Sequence, residues 1–124
     1  MFDICVLPSS ELGPDRQRLG RITAGDFTER FACYPTIASV EKYPRIWKEQ
    51  LRLLINGQSA VALIHDPRFA WIIYRDGNSC HVQQRLALDG CFEPIPPREV
   101  VSEDGDRISE WPVDLESVAQ FVAA

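Results

Sequence analysis

Phe69-Ala70-Trp71-Ile72-Ile73-Tyr74-Arg75-Asp76-Gly77-Asn78-Ser79-Cys80-His81-Val82-Gln83-Gln84-Arg85-Leu86-Ala87-Leu88 is the stretch whose reading decides the fold. It consists of two β-rich runs, Phe69–Arg75 and Ser79–Leu88, separated by Asp76-Gly77, a dipeptide that favours tight hairpin turns. A two-residue loop at Asp76-Gly77 sets Tyr74 opposite Ser79, Ile73 opposite Cys80, Ile72 opposite His81 and Trp71 opposite Val82. Because side chains alternate along a strand, Phe69, Trp71, Ile73, Cys80 and Val82 then share one face. That face is the expected core face. The other carries Ala70, Ile72, Tyr74, His81, Gln83 and Arg85, a mixed set expected to be half exposed.

Upstream, Ala60–Ile64 reads as a further strand of the same meander. Before it, Tyr43, Trp47, Leu51 and Leu54 recur at helical spacing, with Ile46 and Leu53 widening the stripe and Lys42, Arg45, Glu49 and Arg52 on the other side. Gly57 after Asn56 is a natural residue to end that helix. Two starts fit the pattern: Ser39 as cap, leaving Pro44 inside, or Pro44 in the first turn. Phe2–Leu7 and Leu19–Ala24 read as a strand pair flanking the polar loop Pro8–Arg18. Asp26 with Glu29 three residues on resembles a capping box, so a short helix is expected there, limited by Pro35.

Downstream, Asp89-Gly90 offers a second hairpin turn, with Leu88 opposite Cys91, Leu86 opposite Glu93 and Cys80 facing Glu99. Pro94, Pro96 and Pro97 cannot donate to a ladder, so the strand after it must be an edge strand or irregular. Asp114 reads as the N-cap of a closing helix whose inner face is Leu115, Val118, Ala119 and Val122. Together these elements predict an α+β fold in one domain, 1–124. It would be an antiparallel sheet of about four to six strands, with one long helix across its core face and shorter helices packed at its edges.

Length and composition narrow the class. A chain of 124 residues buries roughly two-thirds of its unfolded surface. No apolar run approaches the ~20 residues that span a bilayer, and Met1-Phe2-Asp3 lacks a basic leader, so a cytoplasmic protein without membrane contact is expected. Cys5, Cys33, Cys80 and Cys91 show no C-x-x-C spacing and only His65 and His81 accompany them, so the thiols read as small reduced hydrophobes and no metal or cofactor is expected. No glycine-rich phosphate loop occurs. Cys80 and His81 are adjacent on a strand and point to opposite faces, so they form no nucleophile–base pair. Carboxylate pairs such as Glu103/Asp104 lie in a polar stretch that does not desolvate either member. The chain reads as a non-enzyme.

Charge is the clearest pointer to function. Residues 1–88 hold 11 Arg or Lys against 9 Asp or Glu, whereas residues 89–116 hold only Arg98 and Arg107 against nine carboxylates. With a net charge of −5, nucleic acid is disfavoured as a partner, although Arg16, Arg18 and Arg21 are available to a phosphate. Like charges repel one another and need solvent or a cationic partner. Asp114 and Glu116 serve the start of the last helix. That leaves Glu99, Glu103, Asp104, Asp106 and Glu110 as the candidate binding surface.

Several short motifs follow one another along the chain. They are Gly25-Asp26-Phe27-Thr28-Glu29-Arg30-Phe31, Tyr43 with Trp47-Lys48-Glu49-Gln50-Leu51, Trp71-Ile72-Ile73-Tyr74-Arg75, Val82-Gln83-Gln84, and Ile108-Ser109-Glu110-Trp111. In this order and spacing, over roughly residues 20–122, the chain resembles the immunity proteins of bacterial contact-dependent growth-inhibition systems. The resemblance implies a cytoplasmic, non-enzymatic inhibitor that binds and neutralises the C-terminal domain of a cognate toxin, often a nuclease. An acidic surface suits that role, because a nuclease must be positively charged to hold phosphate. The five carboxylates would face the toxin, with Trp111 as a structural anchor. Two other readings stand beside it. One is an adaptor for a different basic protein. The other is an enzyme or ligand-binding domain using the sheet face near Ile72, Tyr74, His81 and Gln83.

Overall fold

The structure, a computed structural model, describes residues 1–124. Its centre is the hairpin of β5 (Phe69–Asp76) and β6 (Ser79–Leu86). The turn residues are Gly77 and Asn78, not Asp76 and Gly77, so Asp76 faces Ser79, Tyr74 faces His81 and Ile73 faces Val82. Gly77 has φ 63°, the left-handed conformation that a II′ turn requires at its first central position and that glycine adopts without strain. Moving the turn by one residue moves every partner by two. The faces therefore stay as expected, and Trp71, Ile73, Cys80 and Val82 enter the main core together.

β4 (Ala60–Ile64) pairs with β5 on one side. On the other side of the hairpin, β6 pairs with β7 (Trp111–Asp114), which gives a four-stranded antiparallel sheet in the order β4-β5-β6-β7. The hairpin expected at Asp89-Gly90 does not form. Gly90 does turn the chain at φ 71°, but a Cβ there would collide with Pro67 O, and no strand follows. Cys80 faces Val113 rather than Glu99, and Leu88 and Leu86 have no ladder partners at Cys91 and Glu93. Three prolines within Pro94–Pro97 remove the N–H groups that a strand beside β6 would need. β7, beginning only at Trp111, takes the vacant edge.

The strands split into two sheets where one was expected. β1 (Phe2–Val6), β2 (Leu19–Ala24) and β3 (Phe27–Ala32) make a separate three-stranded antiparallel sheet. The short helix expected at Asp26 is absent. Gly25, at φ 61°, and Asp26 form the turn between β2 and β3, with Ala24 facing Phe27. Glu29 thus belongs to a strand, not to a capping box.

Both sheets and both helices converge on one core. It includes Phe2, Ile4 and Ile22 from the first sheet and Trp71, Ile73 and Val82 from the second, with Trp47 and Leu51 between them. The last two belong to α1 (Tyr43–Ile55), whose buried residues are Tyr43, Trp47, Leu51 and Leu54. Pro44 sits in its first turn, and Ser39 instead precedes a short 3-10 turn at Val40–Lys42. The C-terminal end closes as a Schellman motif: Gln58 N–H donates to Leu53 O at 3.0 Å and Gly57 N–H to Leu54 O at 3.2 Å. Arg75 Nη1 from β5 adds 2.9 Å bonds to Leu54 O and Ile55 O, placing a cation where the helix dipole is negative. α2 (Leu115–Ala123) is capped by Asp114, whose Oδ1 accepts from Ser117 N–H at 2.7 Å. Its Val118 is buried and its Phe121 meets Phe2 edge-on, with ring centroids 5.5 Å apart. All four cysteines are free; Cys33 and Cys80 are buried and Cys91 is exposed. No helix is long and apolar enough to cross a membrane.

Candidate functional site

After β6 the chain does not leave the sheet. Residues 91–110 fold back across its outer face as an irregular strap. Phe92 is buried there against Ala70, Ile72 and Tyr74, so the face expected to be half exposed is largely covered. Polar bonds tie the strap down. Tyr74 Oη donates to Pro96 O at 2.7 Å, and Gln83, fully buried, donates from Nε2 to Glu99 O at 2.9 Å and Glu110 Oε1 at 3.0 Å. Arg85 Nη1 donates to Gln83 Oε1 at 3.0 Å and to Pro97 O at 3.2 Å. Arg98 grips Glu110 with two bonds, Nε to Oε1 at 2.6 Å and Nη2 to Oε2 at 2.8 Å, the fork geometry that makes guanidinium–carboxylate pairs strong.

The five candidate carboxylates separate into two groups. Glu110 has a side chain only 17% exposed and lies inside the network just described. The Arg98 hydrogen bond, with help from Gln83, holds its carboxyl below its ordinary pKa against the opposing effect of burial. Glu99 is half buried, 3.8 Å from Arg85 Nη2. These two point back into the molecule.

Glu103, Asp104 and Asp106 point away from it. They occupy a tight loop closed by the bridge between Val101 and Arg107 and by Ser102 N–H to Asp106 O at 2.7 Å. Gly105 lets the loop turn, with φ 84°. All three carboxylates are exposed, and none has a cationic partner within 4.0 Å.

One further acidic residue joins this surface. Glu29 of β3 lines an open groove of about 510 Å³ together with Gln84, Asp106, Arg107 and Trp111. Phe27, two residues earlier on β3, stacks on Trp111 at 3.6 Å between centroids, which fixes this edge of the first sheet against the start of β7. The local sequence around Glu29 imitates a helix start, and only the Gly25 turn reveals it as a strand position.

The sheet face near His81 holds a shallow cleft of about 640 Å³, lined by Tyr74, Arg75, Asp76, His81 and Arg98 among others. His81 Nδ1 lies 3.6 Å from Glu110 Oε2 and 3.4 Å from Arg98 Nη2. Cys80 points the opposite way into the core. The cleft therefore brings no thiol to the imidazole. No group of three or more His, Cys, Asp or Glu side chains is placed to hold a metal ion.

No curated protein matches the chain. Among solved structures, the fold is similar to that in the CdiA-CT/CdiI toxin and immunity complex from Enterobacter cloacae. The TM-score is 0.74 at 21% sequence identity, covering 99% of this chain and 97% of that one. The CdiI N-terminal domain, as a sequence family, matches residues 36–121, a span that contains α1, the four-stranded sheet, the strap and most of α2. With that match over more than half its length, the chain belongs to the CdiI N-terminal domain family, the immunity proteins of contact-dependent growth inhibition.

Proposed function

We propose that this protein binds a cognate toxin domain, a CdiA-CT domain like that in the similar complex, and neutralises it by covering a basic surface that the toxin needs. The observation that carries the reading is the loop 101–107, with three exposed carboxylates, no cationic partner for any of them, and a rigid base latched to the sheet by Arg98, Glu110 and Gln83. Preorganised like charge costs stability in the free protein, so it is suited to a surface that meets opposite charge in a complex. Glu103, Asp104 and Asp106 make the direct contacts in this reading. Glu99 and Glu110 set the loop's position, and Glu99 adds to the local potential.

A toxin that acts on nucleic acid fits the same chemistry. Its active site must attract phosphate, and that positive field draws an acidic inhibitor in, raising the capture rate by about 10- to 1,000-fold over an uncharged pair. Inhibition then needs no chemistry from the immunity protein, which acts by occupancy in the cytoplasm, where the toxin would arrive. The direct test is co-expression with the toxin domain encoded beside its gene. Growth should be restored by this protein and lost again with the triple variant Glu103→Lys/Asp104→Lys/Asp106→Lys. Continued toxicity in the presence of abundant folded wild-type protein would reject the immunity reading.

A further inference from the structure

Nine large apolar side chains stand exposed, and they are unevenly spread. Met1 and Leu12 are isolated, and Ile37 and Leu53 line a groove of about 610 Å³ beside α1 together with Ile46, Ile64 and Ile95. Phe69, Leu86, Leu88, Val100 and Val101 belong to one end of the β5–β6 hairpin and the base of the acidic loop beside it. Phe69 and Leu86 face each other across the ladder at the end remote from the Gly77 turn. They lie on the face that further along buries Trp71 and Val82, but the core stops short of them, leaving Phe69 39% and Leu86 52% exposed. Ala87 N–H continues the ladder to Arg68 O at 2.8 Å, and Leu88 beyond it is 81% exposed.

This apolar step adjoins the carboxylates. Gln84 lines the groove shared by Glu29 and Asp106, and Leu86 is the next residue on the same face, about 7 Å along the strand. An apolar centre with a charged rim is the anatomy of a protein-binding surface, and isolated exposed leucines need no such explanation. We infer that Phe69, Leu86 and Leu88 form the apolar centre of the toxin-docking surface. Glu29, Glu103, Asp104 and Asp106 form its charged rim. This rests on the immunity reading above and adds the location and chemistry of the contact: the partner offers a basic surface with apolar side chains set among its cations. A second copy of the chain is a poorer occupant, because a twofold contact through this patch brings two acidic loops into one interface with no added cationic partner.

The test is the dissociation constant for the toxin domain encoded beside the gene, measured at low and at moderate salt for wild type, Leu86→Ser, Leu88→Ser, Glu103→Lys and Leu53→Ser. Leu88 is exposed enough for its serine variant to fold, which thermal melting verifies. Each hairpin-end serine should weaken binding about tenfold at both salts, while the Glu103→Lys loss should shrink as salt screens it. Leu53→Ser, on α1, should stay within about twofold of wild type, below the range of a hot spot. The inference is overturned if both hairpin-end variants bind like wild type, or if Leu53→Ser weakens binding as much as they do, which would move the contact to the groove beside α1. A free-protein dimer that Leu88→Ser disperses would give the patch to a second copy and equally overturn it. If wild type itself does not bind, the immunity reading fails and this inference with it. If wild type binds and only the serines are silent, the immunity reading stands alone.

Discussion

Gln83 is the residue on which the strap depends. It is fully buried, and its amide joins three groups, Glu99 O, Glu110 Oε1 and Arg85 Nη1. Truncating it leaves a buried carboxylate oxygen and a guanidinium each short of a partner, and unmade buried bonds of this kind cost about 1–3 kcal/mol. Gln83→Ala should therefore lower unfolding stability by about 2 kcal/mol in urea. It should also speed amide exchange in residues 92–99 more than in α1. His65 makes a second residue-scale prediction. Its Nδ1 bonds to Ala32 O at 3.0 Å, and its buried Nε2 has no partner. Burial holds its pKa below the ordinary 6.5, against smaller opposing effects of the Ala32 carbonyl and Asp66. The unfolded chain then binds a proton at a higher pH than the folded one. This contribution is complete above about pH 6.5 and is lost as the pH falls from there through the lower folded value. Glu110, held below its ordinary 4.5, loses its contribution in a separate and more acidic window. The urea midpoint should fall between about pH 7.5 and pH 5, conditions chosen to bracket the His65 window, and fall less in His65→Leu. An equal fall in both proteins would place the titrating group elsewhere.

At the scale of elements, close approach of the first sheet to its own side chains leaves no room at Gly20. A Cβ there would lie 2.5 Å from Phe31 Cζ and 3.0 Å from Cys33 Sγ. Gly20→Ala should cost about 1–3 kcal/mol by overpacking, with an unchanged urea m-value showing that the unfolded state is unaffected. A loss below about half a kilocalorie would mean that the Phe31 ring moves aside easily. What the sequence disclosed about elements followed from how local each signal was. The α1 stripe was fully legible because Tyr43, Trp47, Leu51 and Leu54 repeat at a period no strand shares. The hairpin faces were legible while its turn was misplaced by one residue, since a period of two forgives that error. Asp26 and Glu29 misled because a capping pattern and a Gly-Asp turn followed by a strand look alike over four residues. The pairing of β6 with β7 was beyond reach: Val82 meets Trp111 only because the proline-rich segment between them cannot compete for the edge. The acidic run was likewise visible as charge. Its division into an inward pair and an outward trio depends on where Arg98 and Gln83 lie in space, and the sequence pattern does not carry that.

Across the whole molecule, a shared core holds two small sheets together and leaves one end of the larger sheet bare beside a loop of unpaired carboxylates. Both features are proposed to meet the toxin, and they contribute differently. Charge governs how fast the partner arrives and how strongly salt interferes, and apolar contact governs how long it stays. Toxin capture through the acidic loop is therefore tested most directly by the affinity for the cognate toxin domain across a salt series, for wild type and for Glu103→Lys/Asp104→Lys/Asp106→Lys. Wild type should bind tightly and weaken with salt. The variant should be weaker by about 100-fold or more at low salt, as expected when several interfacial charges are reversed at once. Equal affinity of the two proteins at low salt would contradict a toxin-facing role for the loop.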